Sequence, residues 1–166
     1  MGEPRGPIFL VGFMGAGKTT TGRALARVLG WDFVDLDELI VETERRSIPE
    51  IFKDGGEVYF RRVEGEILES LRGRSRLVVA CGGGTYAQDR TRALIDGMGR
   101  SVWLQVPLAR ALARCEDAPA RPLLQDAPTA EALYRARLPA YRAASLRVDV
   151  EGLSPEQVAE RIVALL

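Results

Sequence analysis

The chain contains no histidine, and of its 23 Lys and Arg side chains only Lys18 and Lys53 are lysine. Without imidazole, proton transfer falls to a carboxylate, a lysine, a tyrosine, a cysteine or water, and histidine-based metal sites are excluded. Cysteine is equally scarce, since Cys81 and Cys115 are too few for a disulfide framework. Long apolar runs are missing too: residues 8–11 and 77–81 fall far short of the roughly 20 residues of a membrane span. The opening MGEPRGP has no apolar segment of the secretory kind, and Gly6 breaks the N-myristoylation pattern. These features point to the cytoplasm and to no membrane partner. Neither sign of charge is in excess, with 23 basic and 23 acidic residues, so no global basic field exists to collect nucleic acid.

What is present is core material. A hydrophobic content of 46% over 166 residues suits one domain spanning residues 1–166, without repeats or a low-complexity linker. No apolar stripe of the interface kind stands out, which favours a monomer. Residues 8–11 form a continuous apolar run between Pro7 and Gly12, as expected of a buried parallel strand. A helix is predicted over 19–29, stopped by Gly30, then a strand over 31–36 and a helix over 38–46. Ser47-Ile48-Pro49-Glu50 reads as a helix start, and after Gly55-Gly56 the residues Phe60, Val63, Ile67 and Leu71 share one helical face. Further strands are predicted at 77–81, 101–106 and 146–150, and Ser154 to Gln157 opens a last helix. Strands alternating with helices imply an α/β fold, a parallel sheet covered on both faces. Residues 116–128, rich in Ala, Pro and Asp, lack periodicity and read as a mobile loop.

The segment GFMGAGKT, Gly12 to Thr19, has the spacing of a phosphate-binding loop placed between strand and helix. In such a loop the backbone N–H groups of Gly12, Gly15, Ala16 and Gly17, and of Thr20 just beyond, surround phosphate oxygens. Lys18 reaches the terminal phosphates, and the Thr19 hydroxyl is available to Mg²⁺. A nucleotide is therefore expected, but the loop alone does not name the second substrate.

Other residues narrow that choice. Asp35 and Asp37 end the second predicted strand, where alternate residues share a face, so both carboxylates are expected to converge on one site. The bland alternative is that they cap the next helix. Arg61 and Glu64, at i and i+3, are helix-surface neighbours, so Glu64 can orient Arg61 as a fork for an anion. Gly82-Gly83-Gly84 offers unobstructed N–H groups, or is only a tight turn. Arg137 stands two residues before the helix-disturbing Pro139, among Arg135 and Arg142. Phe52 and Phe60 either line the acceptor pocket or pack the core, and Cys81 is expected to be buried and without chemistry.

Taken together and in order, GFMGAGKT, FVDLDELI, FRRVE, CGGG, RPLL and RLPAY resemble the shikimate kinase family over nearly the whole chain. The resemblance implies a three-layer P-loop kinase fold with a five-stranded sheet in the order 2-3-1-4-5 and a mobile lid at about 116–128. It implies transfer of the γ-phosphoryl group of ATP to the 3-hydroxyl of shikimate. Lys18 and Thr19 would then serve ATP and Mg²⁺, with Asp35 on the metal side and Asp37 at the acceptor hydroxyl. Arg61, Arg137 and the turn Gly82, Gly83, Gly84 would clamp shikimate. Arg121 would be the lid arginine on the phosphates, and Arg114 and Pro155 would sandwich adenine. Residues 151–154, Glu-Gly-Leu-Ser, carry no arginine, which family members can have in this loop. Rival readings are another small-metabolite kinase, such as a gluconate kinase, and a catalytically silent homologue that binds a partner. A GTPase switch would need an N/T-K-x-D motif, and neither lysine has that setting.

Overall fold

All four residues of the first strand, β1 (Ile8–Val11), are buried, as are all four of β3 (Leu77–Ala80). Successive strand residues point to opposite faces, so continuous burial means that both faces of the sheet are covered there. The protein is described by a computed structural model over residues 4–115 and 127–166. Its remaining strands are β2 (Asp32–Asp35), β4 (Arg100–Gln105) and β5 (Leu146–Asp149), all parallel, in the order β2-β3-β1-β4-β5. This is the order that the resemblance implied.

The helices are α1 (Lys18–Leu29), α2 (Leu36–Glu44), α3 (Ile48–Ser70), α4 (Asp89–Met98), α5 (Leu108–Cys115), α6 (Ala127–Arg142) and α7 (Pro155–Leu165). Their ends follow the local signals. Gly30, at φ 68°, closes α1 in the left-handed conformation, where glycine carries no Cβ penalty. Ser47 Oγ accepts from Glu50 N at 3.3 Å to open α3, and Ser154 and Gln157 form a reciprocal capping box on α7. Gly56, at φ 75° and ψ 179°, interrupts α3 where Gly55-Gly56 signalled a break.

The register places the site. Leu10 of β1 and Asp35 of β2 both pair with Ala80 of β3, so the loops that follow these strands leave the sheet at one level. Ligand-binding crevices of open α/β sheets form at that edge, outside the carboxyl ends of strands, where connections diverge to either side. Most of the expected lid, residues 116–126, lies outside the described residues, and Arg121 with it.

One expectation fails here. The second strand ends at Asp35, and Asp37 belongs to the first turn of α2, so the alternating-strand argument for the Asp35–Asp37 pair does not hold. Pro139 lies inside α6, which continues to Arg142. A proline so close to a helix end forfeits one hydrogen bond, and the packing of Tyr141 offsets that loss: it is fully buried and stacked on Trp103 at 5.9 Å.

Candidate active site

The phosphate loop carries positive φ at Gly12 (144°), Gly15 (80°) and Gly17 (84°), a path that other residues adopt only with strain. At Gly12 a Cβ would also come within 2.8 Å of the Leu104 carbonyl oxygen, so the start of the loop has no room for a side chain. The loop ends at the N-terminus of α1, where unpaired N–H groups and the helix dipole favour an anion. Lys18 Nζ donates to Gly12 O at 2.5 Å and Phe13 O at 3.0 Å, which holds the ammonium over the loop.

Thr19 Oγ1 donates to Asp35 Oδ2 at 2.5 Å, while Asp35 Oδ1 accepts from Glu38 N at 3.0 Å. Asp35 thus caps α2 and at the same time faces the phosphate loop. Two hard oxygens meet here, which suits Mg²⁺, an ion that takes one or two protein oxygens and completes its shell with phosphate and water. Among the described residues no group of three or more His, Cys, Asp or Glu is placed to hold a metal by itself.

Asp37 reaches the same edge from α2. A Cβ at Gly82 would lie 2.9 Å from Asp37 Oδ1, so the carboxylate rests against the glycine turn after β3. Arg61 and Arg137 rest on that turn as well. A Cβ at Gly83 would meet Arg137 Nη1 at 3.1 Å, and one at Gly84 would meet Arg137 Nη2 at 2.8 Å and collide with Arg61 Nη2. Three distant segments thereby gather a carboxylate and two guanidinium groups around one turn.

Each arginine is held by its own partners. Arg61 Nη1 donates to Glu64 Oε1 and Oε2 at 3.0 and 3.2 Å, and its Nε lies 3.5 Å from Glu57. Arg137 is 4% exposed, and burial first, then the charge of Arg61, pulls its pKa below the ordinary arginine value. Its Nη1 is buried with no hydrogen-bond partner, as is Arg61 Nε. Leaving a guanidinium donor buried without a hydrogen bond is costly, so Arg137 Nη1 suits an anionic ligand, whereas Arg61 Nε already lies by the Glu57 carboxylate.

A model of the shikimate kinase family matches residues 14–166. The chain is 43% identical over 163 residues to the shikimate kinase of Synechococcus elongatus, covering 96% of this chain and 85% of that one. The chain belongs to the shikimate kinase family. Shikimate kinase from Acinetobacter baumannii in complex with shikimate superimposes with a TM-score of 0.91 at 38% identity, covering 97% of this chain and 92% of that one. A gluconokinase from Sinorhizobium meliloti reaches a TM-score of 0.57 at 19% identity, over 98% of this chain and 92% of that one, which shows a shared fold alone.

In this shikimate kinase family member, the two residues expected at adenine do come together. Arg114 and Pro155 line one cavity of about 170 Å³ with Ala16, Gly17, Thr20 and Leu153, beside the phosphate loop. Arg114 Nη1 also donates to Gly15 O at 3.0 Å, which ties α5 to the loop. Phe52 and Phe60 pack ring on ring at 4.7 Å, and Arg61 lies over the Phe60 ring at 5.2 Å. Cys81 is buried, and burial pushes its thiol pKa up, opposite to what a nucleophile needs.

Sequence reasoning assigned no role to Tyr141 or Thr85. Tyr141 Oη donates to Gly83 O at 2.5 Å and so fixes the peptide on which Arg137 rests. Its position four residues after Arg137, on the same helical face, was an available signal. Thr85 had none, because its partner Glu64 is 21 residues away.

Proposed function

We propose that the protein transfers the γ-phosphoryl group of ATP to the 3-hydroxyl of shikimate, giving shikimate 3-phosphate and ADP. The observation that carries this reading is the pair Arg61 and Arg137 on the glycine turn, with Arg137 Nη1 buried and without a hydrogen-bond partner, beside the carboxylate of Asp37. Two guanidinium forks suit the carboxylate of a small polyol acid, and Asp37 suits a hydroxyl next to it.

The geometry supports the following division of roles. Gly12, Gly15, Ala16, Gly17, Lys18, Thr19 and Thr20 cradle the triphosphate, with the base in the cavity of Arg114 and Pro155. Lys18, now on the carbonyls of Gly12 and Phe13, swings to the phosphates when they arrive. Thr19 and Asp35 would hold Mg²⁺, which neutralises charge on the transferring phosphoryl group. Asp37 orients the acceptor hydroxyl and takes its proton late, because phosphoryl transfer has a loose transition state that needs alignment more than a strong base. Arg61, Arg137 and the N–H groups of Gly82, Gly83 and Gly84 hold the acid. Arg121 is assigned to the phosphates on the family resemblance alone.

The protein is further proposed to act as a monomer in the cytoplasm; among the described residues no helix is long and apolar enough to cross a membrane. An ADP-release assay with Mg²⁺ and shikimate, gluconate or a nucleoside monophosphate tests the assignment. Turnover that requires both shikimate and Mg²⁺ is expected. Folded protein that turns over gluconate, or nothing, overturns it.

A further inference from the structure

The acceptor site is held together by a buried carboxylate. Glu64 is fully buried, and its two oxygens are shared between Arg61 and Thr85, whose Oγ1 donates to Oε2 at 2.8 Å. Thr85 is itself 0% exposed and therefore cannot touch a ligand. Its backbone is pinned, since Thr91 Oγ1 donates to the Thr85 carbonyl and Arg92 Nη1 donates to the next carbonyl, Tyr86 O, at 3.2 Å. The hydroxyl is thus a fixed post under the glycine turn, 3.2 Å from where a Gly82 Cβ would stand.

We propose that Thr85 is a positioning residue for the acceptor, acting on Arg61 through Glu64. A carboxylate held only by Arg61 can rotate with it, and the guanidinium is then referenced only to Glu57 and Phe60 of its own helix. With Oε2 anchored to Thr85, the carboxylate plane is set, and it sets Nη1 of Arg61 in turn. Nη2 is then placed over Gly84. The chain Thr85, Glu64, Arg61 therefore couples the turn after β3 to α3, so the two halves of the acid clamp keep one spacing. A hydrogen bond to a buried charged group is worth more than a neutral one, enough to set that orientation.

The inference rests on the shikimate reading above, and wild-type turnover tests that reading separately. Thr85→Val keeps the shape and removes the donor. It is expected to raise the KM for shikimate about tenfold, with kcat and the KM for ATP changed less than about twofold. Thr85→Ser should restore the wild-type KM, and Thr85→Ala should repeat the loss if the valine variant does not fold. Added to Glu64→Gln, Thr85→Val should cost nothing more, because the two act in series. An unchanged shikimate KM in folded Thr85→Val, equal losses toward both substrates, or additivity with Glu64→Gln overturns the proposal. Inert wild-type protein would overturn the shikimate reading itself and the inference with it.

Discussion

Thr19 Oγ1 and Asp35 Oδ2 stand 2.5 Å apart, joining the first residues of α1 to the last residue of β2, while the other oxygen of Asp35 caps α2. One side chain therefore carries a structural and a proposed metal-side role, and the two are separable by substitution.

Asparagine caps helices about as well as aspartate but lacks the charge, whereas alanine neither caps nor carries charge. Asp35→Asn is expected to unfold near the wild-type temperature while needing more Mg²⁺ for half-maximal rate. Asp35→Ala should show the same Mg²⁺ defect and lose about 1 kcal/mol of stability besides. Thermal unfolding and a Mg²⁺ titration of rate check both; equal Mg²⁺ requirements in all three proteins would remove Asp35 from the metal.

Asp37 lies against the glycine turn proposed to hold the acceptor and does not line the cavity of Arg114 and Pro155. Asp37→Asn should lower kcat by roughly a hundredfold or more, the scale of a lost proton acceptor, with ATP affinity nearly unchanged. Steady-state kinetics beside calorimetric nucleotide binding separate the two quantities.

Gly84 does not adopt positive φ, so its requirement is space, not backbone freedom. Gly84→Ala should fold normally and displace the ends of Arg61 and Arg137. Its shikimate KM should rise by about tenfold or more while its KM for ATP stays put. A wild-type shikimate KM would show that the arginines adjust without loss.

Tyr141 has its pKa raised to about 12, chiefly by burial. Its phenol stays protonated when folded after the unfolded chain, titrating near its ordinary value of about 10, has begun to ionise. Its stabilising contribution is therefore complete below that value and lost as pH rises from there through about 12. Tyr86 is shifted the same way. Tyr141→Phe should flatten the alkaline fall in stability, seen by denaturant unfolding across that range, and cost some stability at neutral pH by orphaning the Gly83 carbonyl.

The donor half of the site was legible in the chain because its chemistry is local. Gly12 to Thr19 contains in one run the glycines, the lysine and the hydroxyl that a phosphate needs, and the apolar run before it and the periodic one after it mark strand and helix. The capping serines and the break at Gly55-Gly56 were readable for the same reason. Asp37 was misplaced by a boundary: β2 stops two residues earlier than the alternation argument needed, because Asp35 begins a helix.

What the chain determined by itself was the phosphate loop, the parallel α/β character and the residues proposed to hold an acid. Only the tertiary structure decided that Arg61, Arg137 and Gly84 meet, that Glu64 is shared with Thr85, and that Tyr141 holds Gly83. Those contacts join residues 21 to 58 positions apart, and packing and strand register, not local spacing, bring such residues together.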